Sequence, residues 1–150
     1  MKVGIALPVT KAGFYNPDEV LELHLKKSID AGAVYFSTDN RISSKKACLV
    51  DFVLLVNKDF SYLADLEEYI NFEDKGTPSD AKLFAPEPFV QDENLHWFKI
   101  SNIKEISKEK LNLFKMDNEI TESKYHGVGN YVQNTGRLQV FYFKKFNTQI

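Results

Sequence analysis

The segment from Asn16 to Phe36 constrains the fold of this chain more than any other. Asn16 offers a side-chain oxygen at a helix start, Pro17 has the fixed φ of a first helical position, and Glu19 can reach back to the cap. Leu21, Leu25 and Ile29 recur every four residues, and Val20 and Leu23 widen that apolar stripe. Gly32 supplies the left-handed residue that closes such a helix. The spacing predicts one helix over about 17–31, with a short strand over Ala33–Phe36 after it. Ahead of it, Val3–Leu7 is an apolar run closed by Pro8 and reads as a buried first strand.

Beyond this unit, Cys48–Val56 (CLVDFVLLV) reads as a central strand, interrupted by Asp51, which needs a hydrogen-bonding partner if it faces inward. Ser61–Phe72 carries both helical and strand spacings. Its first half reads as strand, following the turn signal Asn57–Lys58–Asp59. Glu73–Gln91, with Gly76, Pro78, Pro86 and Pro88, reads as an irregular excursion held to the body by Leu83, Phe84 and Phe89. Leu95–Ile100 alternates around Trp97 as a strand. Ser107 caps a short helix over about 108–115 with Leu111 and Phe114 inward, Asp117–Asn134 is polar and turn-rich, and Leu138–Phe143 is the last strand. One main helix among many strands predicts an α+β chain, a small mixed β-sheet curled into a barrel. No repeat or linker divides it, so 1–150 reads as a single domain.

Twelve Phe and seven Tyr in 150 residues predict a core built on aromatic packing. A net charge of −2 argues against gripping long duplexes through their phosphates. The single Cys48, between Ala47 and Leu49, reads as a buried thiol. The first apolar run is too short for a signal peptide, and no segment approaches the roughly 20 apolar residues that cross a bilayer. The expectation is a cytoplasmic protein with no membrane partner.

Little here carries reaction chemistry. His24, His96 and His126 do not stand at metal-ligand spacing, and His24 reads as a packing residue on its helix. GxSxG and P-loop signatures are absent, and Gly127-Val128-Gly129 lies in a loop without the flanks of a phosphate cradle. Asp65, Glu67 and Glu68 read as a solvated face. No catalytic residue, metal or cofactor is assigned. An aromatic and polar constellation remains, of the kind that holds an unstacked base by its faces and edges. Tyr15, Tyr35 and Trp97 are candidate walls, Asn16, Ser37, Thr38 and Asn40 candidate edge readers, and Lys11 and Arg137 candidate phosphate contacts.

Val34-Tyr35-Phe36-Ser37-Thr38, following a capped helix, resembles the VWxST strand of the YTH and EVE branch of the PUA-like superfamily, with Tyr35 at the cage tryptophan. Leu49–Val56, Trp97-Phe98-Lys99-Ile100 and Asn134-Thr135-Gly136-Arg137-Leu138-Gln139-Val140 resemble later segments of the same family, in order. The resemblance implies a PUA-like barrel and a noncatalytic module that recognises a modified or flipped nucleobase in RNA or DNA. There the arginine of the last segment, here Arg137, meets phosphate. Two other readings stand beside it. One is a small protein-interaction or inhibitor protein, such as a phage or mobile-element defence or anti-defence factor. The other is a nuclease or nucleotide-processing enzyme of the related ASCH type, whose GxKxxExR signature is absent here. The base-pocket reading requires Val3–Leu7 and Ala33–Phe36 to be parallel, with Tyr15 and Ser37 flanking one cleft.

Overall fold

A computed structural model describes residues 2–145. They are mixed α+β, with seven strands in a mixed sheet, not a closed barrel, and six α-helices. In chain order the first elements are β1 (Lys2–Pro8), α1 (Pro17–Ala31), β2 (Val34–Thr38), α2 (Ser44–Ala47), β3 (Phe52–Val56) and β4 (Ser61–Gly76). Then come α3 (Ala81–Phe84), a 3-10 turn (Glu87–Phe89), β5 (Asn94–Glu105), α4 (Lys108–Leu111), β6 (Phe114–Met116), α5 (Glu119–Tyr125), α6 (Val128–Asn134) and β7 (Phe141–Lys145). Contacts group them into two compact units, each discontinuous in sequence. The first takes described residues 2–9, 49–64 and 104–145, the second residues 10–48 and 65–103.

In the first unit β1 lies between β3, parallel to it, and β7, antiparallel to it, and β6 adds to β7. The expected partner of β1 was the strand straight after the helix. It is β3 instead, and β2 pairs antiparallel with β5. The parallel return is thus made by Phe52–Val56, the more continuously apolar run, as suits a strand buried on both faces. Strand alternation turns Ala6, Phe52, Leu54, Val56, Phe141 and Phe143 to one face, where they pack with Leu111, Val128 and Val132. Asp51 precedes β3 and is exposed, its N–H donating to Val3 O at 2.8 Å, so it never faces the core.

The polar stretch Asp117–Asn134, read as turns, contains α5 and α6. Its helix α6 starts at Gly127, which has no side chain to cap it. Asn112, just past α4, provides the missing oxygen: its Oδ1 accepts the Asn130 N–H at 2.9 Å. The Asn130 amide in turn donates to His126 O at 3.0 Å. Gly127, at φ +122°, and Gly129 let the two helices come this close, because a Cβ on Gly129 would stand 1.8 Å from Lys108 O. The Gly-Val-Gly run is therefore a helix-packing device. Helix α4 ends at Leu111, short of the predicted 115, because Phe114 already belongs to β6. Both of those side chains face inward as expected.

In the second unit the strand order is β2–β5–β4. Helix α1 has the predicted bounds. Asn16 N–H donates to Glu19 Oε1 at 3.0 Å, and Gly32, at φ +85°, donates to Ser28 O at 2.9 Å. Its buried face is Val20, Leu21 and His24, and the predicted stripe runs off it, leaving Ile29 83% exposed. The ambiguous stretch after Asn57–Asp59 is strand throughout. Cys48 ends α2 and is exposed, its thiol donating to Lys45 O at 3.1 Å; the run CLVDFVLLV divides between a helix end and a strand, so the buried-thiol expectation fails.

Candidate functional site

The residues predicted to form a base pocket do not converge on one. Tyr35 and Trp97 are each only 1% exposed and meet edge to face, with ring centroids 5.7 Å apart. They are the centre of the second unit's core with Ala81 and Ala85, and Ile70, Phe72, Phe84 and Val90 pack around them. Neither ring offers a face to a ligand, because alternation on β2 and β5 turns both inward. The Trp97 indole N–H donates to Gly76 O at 2.9 Å.

The polar candidates hold their own loop together. Thr38 Oγ1 accepts the Asn40 N–H at 3.0 Å, and Asp39, next to them, accepts the Leu95 N–H at 2.8 Å and pairs with Lys75 at 2.8 Å. Asn94 lies 2.8 Å from Ser37 Oγ. Turned so that its amide nitrogen faces the Asp39 carboxylate at 3.1 and 3.2 Å, it satisfies both groups. Lys11 is exposed before α1, and Arg137, exposed, belongs to the first unit.

Below Tyr35 sits a polar group that sequence reading missed, since Glu68 and Asp80 lie 33 and 45 residues from Tyr35 and Lys99 lies farther still. The Tyr35 hydroxyl donates to Asp80 at 2.8 Å, and Lys99 pairs with Asp80 at 3.1 Å and Glu68 at 3.6 Å. The same ammonium lies 4.1 Å from the Phe84 ring centroid. Burial, then the bond to Asp80, pushes the Tyr35 hydroxyl well above its ordinary range, so it stays protonated. Burial alone would raise the Asp80 carboxyl, but its bonds to Tyr35 and Lys99 prevail and hold it low. These groups satisfy one another, and the arrangement anchors β2 to α3 and β5.

The open feature of the second unit lies on the other side of Tyr15. Ala12 and Tyr15 exchange backbone hydrogen bonds of 3.0 and 2.9 Å, closing a two-residue turn, and Gly13 takes the φ of +58° that such a turn needs. The turn holds Phe14 at its tip, 99% exposed. Tyr15 itself lines a groove of about 740 Å³ between α1 and the 3-10 turn, walled by Leu23, Pro86 and Pro88 and edged by Lys26, Lys27, Asp30 and Glu87. Ser37, tied to Asn94, is not the second wall that the sequence reading gave Tyr15. The unit also exposes Ile29 and, on α3, Leu83, which is 64% exposed.

Through Phe89, Tyr15 is joined to a buried histidine. His24, 4% exposed, stacks on Phe89 with centroids 5.7 Å apart and meets Phe36 at a tilt, 5.0 Å away, and Phe89 meets Tyr15 edge-on at 6.0 Å. Its Nδ1 lies 2.7 Å from Val20 O. Burial lowers its pKa to about 4. The folded state therefore refuses a proton that the unfolded chain binds below about pH 6.5. Stability is complete above that value and falls as pH drops toward 4, by about 2 kcal/mol near pH 5. Urea titrations of the wild type and His24→Gln across this range should show that loss in the first and a smaller one in the second. Equal slopes for the two proteins would refute the assignment.

Among the described residues no group of three or more His, Cys, Asp or Glu side chains could hold a metal ion, and no helix is long and apolar enough to cross a membrane. Comparison with protein-family models, with curated proteins and with solved structures returns no match for this chain.

Proposed function

We propose that this chain is a noncatalytic protein-binding module, with its contact surface on the Phe14 turn and the adjoining groove of the second unit. The observation that carries the reading is Phe14, 99% exposed at the tip of a turn closed with two backbone bonds. An exposed Phe forgoes roughly 2–3 kcal/mol of burial, which a partner's pocket recovers. Preformed aromatic anchors lose little entropy on docking and are frequent hot spots. The nucleobase reading has less support, since two of its three aromatic walls are core residues and only Tyr15 borders open space. Kinship with PUA-like barrels, proposed on the Val34–Thr38 run, lends the site no ligand, because its cage position is the buried Tyr35. An enzymatic reading draws no support from the Lys99 group, whose charges are already paired.

A photo-crosslinking amino acid placed at position 14 in the full chain, in cells, tests this. Discrete protein adducts are expected from position 14 and none from the exposed control position Asn71. Equal labelling from both positions would sink the proposal, and adducts removed by nuclease would return the nucleobase reading in its place.

A further inference from the structure

The groove and turn support a narrower inference that rests on the protein-binding reading: we propose that the partner is a second copy of this chain, related by a two-fold axis. Phe14 of each copy enters the groove of the other. The first argument is that knob and hole lie side by side, since Phe14 protrudes and its neighbour Tyr15 lines the groove. A two-fold interface uses one patch twice, so that patch must contain both halves of every contact. The second argument is charge. The rim carries two cations, Lys26 and Lys27, and two anions, Asp30 and Glu87. A rim that carries both signs can pair with a second copy of itself, cations against anions, whereas a uniformly basic or acidic partner would leave half of it facing like charge. The volume of about 740 Å³ lies in the range of sites that enclose a bulky apolar group.

Sedimentation velocity over a wide concentration series tests the inference. The wild type should pass from monomer to dimer as concentration rises. Phe14→Ala, at an exposed position that leaves the fold intact by circular dichroism, should weaken association by about 30-fold or more. Lys26→Glu with Lys27→Glu makes the rim all acidic, and Asp30→Lys with Glu87→Lys makes it all basic. Each of these proteins should remain monomeric, and their equimolar mixture should sediment as a dimer. A wild type that stays monomeric throughout, or a Phe14→Ala protein that dimerises as tightly, would overturn the inference. Position-14 adducts of twice the chain mass support self-association. Adducts of other masses from a monomeric protein would overturn it while leaving the protein-binding reading intact, and no adducts at all would remove both.

Discussion

Gly129→Ala is expected to destabilise the protein by about 3 kcal/mol or more, although the same change inside an exposed helix would stabilise it by about 1 kcal/mol. The sign reverses because the new methyl would stand 1.8 Å from Lys108 O and 2.9 Å from Lys108 C, both backbone atoms that cannot swing aside. Helix α6 would have to retreat from α4, and the Asn112 oxygen, 2.9 Å from the Asn130 N–H, would lose its grip on the helix start. The lost cap adds to the steric cost. Chemical denaturation measures the effect. Gly136→Ala, where an added Cβ meets nothing within 4 Å, is the matched control and should barely move the midpoint. A Gly129→Ala protein with the wild-type midpoint would show that the α4–α6 approach is looser than described.

Trp97→Ala should cost about 3–5 kcal/mol, the range for emptying a large aromatic site in a packed core. The indole touches Tyr35 edge to face, and its N–H to Gly76 O satisfies a carbonyl at the end of β4. Loss of the ring would therefore leave both a cavity and an unpaired acceptor. The measurement also separates the two roles proposed for this residue. A ligand wall removed from a surface pocket costs binding and little stability, whereas a core residue costs stability first. A Trp97→Ala protein as stable as the wild type would restore Trp97 to the surface.

Local chemistry was readable where a signal lies within a few residues of its effect. Helix α1 follows from Asn16, Pro17, Glu19 and Gly32, all within one helix length, and its bounds agree with that reading. Helices α5 and α6, of seven residues each, were missed because their run is polar and turn-rich, with only Val128 and Val132 of α6 as a buried apolar pair. Helix α5 buries no side chain, and α6 depends on Asn112, 18 residues before the amide that it caps. Tyr35 was read as a pocket wall because it stands where a strand gives way to a polar loop, yet both faces of β2 are buried, Tyr35 being 1% and Phe36 7% exposed. The Tyr35 face is covered by distant partners, Asp80, Phe84 and Trp97, which enclose the proposed stacking ring. The same limit applies to Phe14. A lone Phe after a glycine reads as an ordinary loop residue until the bonds between Ala12 and Tyr15 show it held outward.

The pairing of β1 with β3 and β7 has a consequence for how the molecule is made. Among the described elements, residues 2–8 leave the ribosome before all the others and residues 141–145 after them. Every segment of the second unit, residues 10–48 and 65–103, emerges between these two events. That unit can therefore condense while the opening strand of the chain still lacks one of its two neighbours. Until synthesis passes Phe141, β1 has one bare edge, the condition under which strands find the wrong partner. Completion of the sheet around β1 thus waits on a five-residue strand, the last of the described elements in chain order, closing on the first.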